Sequence, residues 1–471
     1  MVEARSMHND KESPFTLTLL DDHLSLQVVQ FSGREALNQP YRFDIEVIGL
    51  APALNLERLL QQPALLDLGQ GQGIHGVLHS ASCEHRGRGR IGYKLVLVPT
   101  LQALDRIRSR RVFQRLSVPM ILRQLLEEHD MPADSYRLDL ADGHYPLRPF
   151  CIQYEETDLA LLQRLCEEEG IHYHFEHSAQ SHVLVLADDN MSFPQEPLLM
   201  PFQGDDSAQP AISELYQRHA AQAVFPRTNA KNRGASQVGE GAANHAFTHT
   251  SAPRSTQEQR HHDQLDRRDL QRMRCQQLQL HGQSNQPLLR SACIVQVADH
   301  PVPGFNDQWL VCEARHQGQQ GSILAEDSRP RRYHNQFTAI PWSTVFRPPL
   351  DQARPRIPGF QPARVCGPAG QHAAQDDQGR LQVSLWPDTD VDPAEGLWLP
   401  VALTVSQAPT EPIQLPMAGS DGWVSFLDSD PDRPVFCAST GQRRSPPAVR
   451  ADTRHSDTRL LLDWLINRPD D

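Results

Sequence analysis

The 471-residue sequence has no surplus of positive charge. Lys and Arg total 45 against 58 Asp and Glu, a formal charge of −13. A protein that tracks a nucleic-acid backbone needs excess cations to displace counterions, so nucleic acid is a poor first partner. No run approaches the roughly 20 apolar residues that cross a bilayer, so no stable membrane insertion is expected. The stretch Met1–Phe15 has no apolar segment of the secretory-signal type. There is no CxxC pair: the eight cysteines, at 83, 151, 166, 275, 293, 312, 366 and 437, are scattered. That pattern reads as reduced, mostly buried thiols in a cytoplasmic protein, which would have to leave the cell by a route that reads no N-terminal signal. Aromatics are only 6% and Gly (27) is scarcer than Pro (37). Such a balance suits many short strands and turns better than a helical bundle. Hydrophobic residues at 39% still permit a core, and at roughly 100–200 residues per domain the length allows about three domains.

Period-two alternation dominates the first fifty residues. Phe15, Leu17 and Leu19, then Leu24, Leu26 and Val28, then Tyr41, Phe43, Ile45 and Val47 each place one row of side chains on a core face. A further pair of strands is expected at His75–Cys83 and Tyr93–Pro99. Two helices follow. One begins at Ser117 with Pro119 early in it and runs to about His129. The other spans Asp158–Glu169, with Gly170 placed to stop it. Alternation resumes at Ile171–Phe175 and His182–Leu186. Residues 203–256 are rich in Gly, Ala, Ser, Asn and Gln and read as loop, closed by a polar helix over Thr256–Gln277. Strands return at Ala292–Val297, Trp309–Ala314 and Gln336–Ile340.

The expected division is a hub of two β-barrels over 15–345, a stiff Pro-rich linker over 346–361, an OB-type barrel over 362–440 and a tail over 441–471. The strand candidates of the small barrel are Leu381–Leu385, Leu397–Val401, Trp423–Leu427 and Pro434–Cys437. The fold class is thus mainly β with helical insertions.

Each motif has a bland reading beside a chemical one. Gly71, Gly73 and Gly76 match GxGxxG, but Val77–Cys83 reads as a strand, so the helix that would hold a phosphate is missing. His172 and His174 share a strand face at metal-ligand spacing. With Tyr173 and Phe175 taken as the core side, the two histidines are expected to face solvent. His262 and Asp266 are i,i+4 neighbours beside His261, on what reads as an exposed charged helix face. Glu167, Glu168 and Glu169 read as a solvated face in a last helical turn. Asp428, Asp430 and Asp432 lack the ligand series of an EF-hand and read as a turn in which Arg433 pairs with a neighbouring Asp. No GxSxG elbow and no readable Cys–His pair occur. The residues therefore point to no catalytic, cofactor-binding or metal-binding group.

Longer runs carry a resemblance. Phe113–Pro119, Cys151–His177, His281–Ser284, Trp309–Gly318 and Tyr333–Pro341 closely resemble the VgrG spike family of type VI secretion systems. Gly379–Val383 and Asp430–Val435 fit that family's OB segment. The resemblance covers about residues 15–440 and implies a fold like that of phage baseplate hubs and spikes. It implies a homotrimer, whose six barrels match the hexameric ring of an Hcp-like tube protein. It also implies contacts with baseplate proteins, ejection by a contractile machine, delivery of effectors and a puncturing role without catalysis. A phage or prophage tail hub is the alternative, and a cell-wall hydrolase a remoter one. The family usually continues into a long β-helical needle of alternating repeats, and residues 441–471 contain none, so a short form is expected.

The tail contains a short apolar helix by pattern, from Ser456 as N-cap to Asn467, with Arg468 near its end. Leu461, Trp464 and Leu465 are its candidate partner contacts, for an effector or adaptor or a neighbouring protomer. The alternative is that the helix packs on its own barrel.

Overall fold

The structure, a computed structural model, describes residues 15–69, 73–85, 89–140, 142–203, 209–221, 256–321, 330–368, 370–387, 396–402 and 415–437. The chain divides into two compact units, one of residues 1–357 with 430–432, the other of 358–429 with 433–471.

The first unit starts with six antiparallel strands: β1 (Thr16–Leu19), β2 (Leu24–Ala36), β3 (Gln39–Leu50), then, after the single-turn helix α1 (Leu56–Leu59), β4 (Pro63–Asp67), β5 (Gly73–His85) and β6 (Arg90–Val98). Their order is β1-β4-β5-β6-β3-β2, and β1 pairs back onto β2, which closes a barrel. The expected alternation is what fills it. Phe15, Leu17, Val28, Tyr41, Phe43, Ile45, Leu66, Ile74 and Leu97 form one buried cluster. The strand expected after Gly73 is β5, so the glycine pattern opens no helix.

A helical module follows: β7 (Arg108–Leu116), α2 (Val118–Glu128), β8 (Tyr136–Asp139), β9 (Arg148–Thr157), α3 (Asp158–Glu169), β10 (His172–His177) and β11 (His182–Ala187). β7 pairs with β9, while β10, β11 and β8 form a separate small sheet. Ile121, Leu122, Leu125 and Leu126 of α2 pack with Leu161, Leu162 and Leu165 of α3. Ser117 occupies the cap position of α2 but its hydroxyl makes no cap bond; Thr157 caps α3 through Oγ1 to the Ala160 amide. Gly170 ends α3 at φ 71, a left-handed conformation that glycine adopts without a Cβ clash.

Six more strands make the second barrel: β12 (Leu198–Pro201), β13 (Ile212–His219), then, after α4 (Thr256–Gln277), β14 (Leu278–Ser284), β15 (Ile294–Ala298), β16 (Gln308–Gln319) and β17 (Arg332–Pro341). They run β13-β14-β17-β16-β15-β12, and a bridge from Phe202 to Ile212 brings the last back to the first. Strand β13 lies where a loop was expected. It has one fully buried side chain, Ile212, and its outer residues are Glu214, Tyr216 and Arg218, so it carries little apolar signal. Residues 204–208 and 222–255 lie outside the described residues. The two barrels share a seam, because β2 pairs with β16 over Gln30–Ala36.

Residues 343–357 have no regular secondary structure, and Phe346, Arg347 and Ile357 are buried. The second unit is a six-stranded small barrel of the OB type: β18 (Phe360–Val365), β19 (Leu381–Leu385), β20 (Leu397–Leu399), β21 (Val401–Ala402), β22 (Asp421–Phe426) and β23 (Pro434–Cys437), ordered β20-β19-β18-β22-β23-β21. Strand β18 was not among the strand candidates. Pro362 breaks its pattern, and Arg364 and Phe360 point outward.

Aromatic rings lie over glycines at the seam. A Cβ on Gly33 would come within 2.1 Å of the Phe43 ring, and one on Gly318 within 2.1 Å of Phe31. Gly318→Ala is therefore expected to destabilise the first unit by about 1–3 kcal/mol through overpacking. Gly304→Ala, where no atom lies within 4 Å, should be nearly neutral. Urea unfolding followed by fluorescence compares the two; equal midpoints would contradict the packing argument.

Candidate functional site

Of the polar residues singled out in the sequence, Glu167, Glu168, Glu169 and His261 lie together at the C-terminal end of α3. Instead of a solvated face, Glu167 and Glu169 are buried, and Glu168 keeps little exposure. The reason is that α3 is covered on both sides, by the leucines of α2 on one and by arginines of distant segments on the other. Arg148 of β9 contacts Glu168 at 3.2 Å and Glu169 at 2.8 Å. Arg164 contacts Glu156 at 2.6 Å and Glu168 at 3.3 Å. From α4, Arg272 donates to the Glu167 carbonyl at 2.7 Å and Arg268 to the Glu169 carbonyl. Arg347 donates to the carbonyls of Gly170 at 3.3 Å and Asp188 at 2.6 Å. The last carbonyls of a helix carry its negative dipole end, so three guanidiniums there satisfy both hydrogen-bonding and charge.

Arg268 also meets Asp188 at 3.3 Å, and Asp188 is fully buried. Tyr145 donates to the same carboxylate at 2.9 Å. The helix α4 is thus no wholly exposed charged face. Its buried side is Gln264, Arg268, Arg272 and Cys275. His262 and Asp266 face each other at 3.9 Å as their spacing predicts, while His261 reaches Glu169 at 2.8 Å.

These contacts set the acidities. Burial pushes Glu169 up, but the His261 hydrogen bond and the Arg148 charge outweigh it and leave it below the usual carboxylate range. Burial likewise opposes, and Arg164, Arg148 and Arg354 overcome, in Glu168. Glu167 goes the other way. Burial holds it up to about 7, although the Gln352 amide donates to it at 2.7 Å.

His172 and His174 are buried, where solvent exposure was expected. Strand β10 is covered on both faces: Tyr173 enters the helical core, while His172 stacks on Phe193 at 4.5 Å and His174 lies tilted against it at 5.1 Å. Burial lowers the basicity of both, well below the normal value for His172. A second histidine group was not anticipated. His75 of β5 and His182 of β11 touch through Nδ1 at 2.9 Å, and His177 Nδ1 accepts from the His75 amide at 3.2 Å. The Thr100 amide donates to His182 Nε2 at 3.1 Å. Burial, then the His75 charge, brings His182 down to about 3. These rings are neutral joints between the first barrel and the helical module.

In the second unit, Arg433 pairs with Asp428 at 2.6 Å, as the turn reading expects. Among the described residues no group of three or more His, Cys, Asp or Glu is placed to hold a metal ion. The tail contacts Leu461, Trp464 and Leu465 lie outside the described residues. What this chemistry supplies is cross-linking. Glu156, Glu168, Glu169 and Asp188 are paired with guanidiniums, and burial favours the neutral form of the imidazoles of His75, His172, His174, His177 and His182. Sequence reasoning missed Arg148, Arg164, Arg268, Arg272, Arg347 and Asp188, and the one local signal was the i,i+4 spacing of Gln264, Arg268 and Arg272 along one side of α4.

The outer face of the shared sheet is also polar. A groove of about 520 Å³ at the barrel seam is lined by Ser32, Asp44, Glu46, Lys94, Gln317 and Arg332, among others. Arg34–Glu313 at 3.0 Å and Arg42–Asp44 at 2.8 Å lie beside it. Exposed pairs of this kind contribute about 0–1 kcal/mol each, so they make a wet polar face more than they stabilise the fold.

Two barrels fused through one strand, a helical module between them and an OB-type barrel define a contractile-tail hub. Residues 34–322 match the phage tail baseplate hub (GPD) family, and the chain belongs to it. It is 38% identical over 461 residues to the type VI secretion spike protein VgrG5 of Pseudomonas aeruginosa, and 36% identical over 452 residues to VgrG4b of the same organism. These matches cover 92% and 90% of the chain but 58% and 55% of those proteins, so the chain spans little more than half their length. It is also 29% identical to the actin cross-linking toxin VgrG1 of Vibrio cholerae, over 42% of that protein. Among solved structures, the E. coli c3393 protein aligns with a TM-score of 0.67 and 25% identity, over 87% of this chain and 96% of that one. That protein is described as a type VI secretion component similar in structure to the T4 tail proteins gp27 and gp5. A Francisella PdpA–VgrG complex shares the fold, with a TM-score of 0.58 at 7% identity.

Two outcomes test the clamps. Arg268→Ala strands the buried Asp188 and is expected to cost about 3–5 kcal/mol, read by denaturant unfolding; a loss under 1 kcal/mol would contradict the clamp. For pH, His182 binds a proton less readily folded than unfolded. Its contribution is full above about 6.5 and is lost as pH falls from there toward about 3. Glu167 titrates in the opposite sense between about 4.5 and 7. The comparison is therefore wild type against His182→Asn, whose stability should fall less steeply with acidification. Parallel curves would remove His182 as the cause.

Proposed function

We propose that this chain is the non-catalytic hub and spike component of a type VI contractile injection machine. It works as a homotrimer seated on an Hcp-like hexameric tube protein, among baseplate proteins, and helps deliver effectors into target cells. The observation that carries the reading is the fusion of two six-stranded barrels in one chain. Three copies present six barrels, and pseudo-sixfold symmetry fits a true sixfold ring. The identity to VgrG5 and VgrG4b supports the type VI setting over a phage or prophage tail, for which the hub family alone would serve equally. The PdpA–VgrG complex supports the idea that hubs of this fold carry partner proteins. The chain is held in the cytoplasm before assembly and exported by the machine itself. The domain scheme expected from sequence is retained, with a hub over 15–345 and an OB barrel over 362–440. Leu461, Trp464 and Leu465 form the contact surface of the tail.

Sedimentation or light scattering of the purified full chain is expected to give three times the 53.1 kDa chain mass. Mixed with a hexameric tube protein, it should form a complex of one trimer per ring. A monomer that ignores the ring would sink the reading.

A further inference from the structure

The small barrel of the second unit carries an exposed apolar sheet face. Along β18 the outward residues are Phe360, Pro362 and Arg364, and along β22 they are Asp421, Trp423 and Ser425. The antiparallel register sets Pro362 opposite Trp423 and Phe360 opposite Ser425, so Phe360 and Trp423 are diagonal neighbours. Phe360 is 64% exposed and Trp423 49%. On the far side of β22, β23 sets half-buried Cys437 opposite Trp423 and Val435 opposite Ser425. The Arg364–Asp421 pair at 2.9 Å closes one end of the face with charge. Two large aromatics side by side on a sheet, with a polar rim, have the composition of a docking surface.

An occupant is available in the same chain. Leu461, Trp464 and Leu465 recur at i, i+3 and i+4 and so share one side of the helix that their pattern predicts. Such a helix, of about a dozen residues, is marginal in water without a surface to cover its apolar side. The tether begins in the patch itself, because Cys437, opposite Trp423, is the last described residue before it. Eighteen residues, 438–455, separate the two. A coil of that length has a root-mean-square span of about 23 Å, enough to turn back over a small barrel. Tethering over this distance gives a local concentration on the order of millimolar, so modest contact energy suffices. The geometry points to the segment 456–467 docking as a helix on the Phe360–Trp423 face of its own small barrel, with Trp464 as its anchor. This goes beyond the spike reading and does not need the trimer.

The test is a mutant cycle in the full chain: Trp423→Ala, Trp464→Ala and both together, with Phe360→Ser as a second variant of the face. An exposed side chain that packs nothing is nearly neutral when truncated. If the helix is docked, each single variant lowers the melting temperature of the small barrel by about 4–8 °C. The double variant is then no worse than either single one. Hydrogen exchange should rise in 360–365 and 421–426 of Trp464→Ala. No loss in Trp464→Ala, or losses that add, would overturn the inference. Light scattering separates the remaining cases. A drop in mass on Trp464→Ala would place the helix on a neighbouring copy and overturn it. So would loss of a bound protein with an unchanged melting temperature. A wild-type monomer that still shows the coupled cycle would defeat the trimer reading and leave this one standing.

Discussion

Everything in the hub depends on one strand serving two barrels. Strand β2 has two edges, and β3 takes one of them along Gln27–Ala36. The other edge is divided: Leu24–Gln27 pairs with β1 and closes the first barrel, while Gln30–Ala36 pairs with β16 and opens the second. A regular strand cannot make that change of direction. Here the register against β3 slips between Val28 and Gln30, leaving Val29 as an extra residue. A bulge of this kind bends the strand and increases its twist. It also reverses the side-chain parity, which is why Val28 and Val29 are both buried.

How much of this could be read in advance follows from how each element is covered. Strands with one face inward announce themselves by alternation, and Tyr41, Phe43, Ile45 and Val47 are such a case. The Val28–Val29 doublet breaks the pattern at the bulge, a signal that is visible but ambiguous by itself. Strand β10 is covered on both faces, so Tyr173 and the histidines flanking it are all inside. Alternation assigns one face to water by default and misplaces His172 and His174. The same error befell Glu167 and Glu169. The Glu169 carboxylate meets Arg148 and His261, and Glu167 accepts from the Gln352 amide, while Arg268 and Arg272 reach their carbonyls from about a hundred residues away. No local pattern encodes those distances. The family resemblance carried the architecture where periodicity stopped, but it assigned no role to these arginines.

A buried charge is costly unless it is paired and hydrogen-bonded. The hub meets that condition by concentrating its charges at one helix end, where carbonyl dipoles are already negative. Arg347 shows the strain of the arrangement. Burial first, and then the nearby Arg268 charge, bring it down to about 10. Two guanidiniums tolerate each other there because Asp188 and the carbonyls of Glu169 and Gly170 lie between them. Replacing such a cluster by apolar side chains of equal volume is often neutral in stability. What the charges add is geometry. Arg268, Arg272 and Arg347 each donate to three or four acceptors, so α3, α4 and the stretch around Arg347 are held in one mutual orientation.

The barrel seam has the same logic on a smaller scale. It is seven residue pairs long, Gln30–Ala36 against Glu313–Gln319. Glycine-rich sheet positions specify register weakly, and Gly33 and Gly318 both lie in this seam. A buried polar pair compensates. His316 contacts Glu35 at 3.1 Å across the seam and Tyr333 at 2.7 Å on the next strand; His316 and Glu35 are buried and Tyr333 is partly buried. The Ser291 amide donates to the same Glu35 oxygen. A slip of one residue would put Glu35 and His316 on opposite faces, and a slip of two would separate them. Either leaves polar groups buried without partners, at about 1–3 kcal/mol each. The Phe31 ring over Gly318 matches the same register across the seam, while the Phe43 ring over Gly33 ties β2 to β3. On the proposed reading, in which three copies must present six equivalent barrels, the angle between the two barrels of each chain has to be a single value. A short seam with its register fixed by one buried pair and one ring-over-glycine contact is a physical way to hold it.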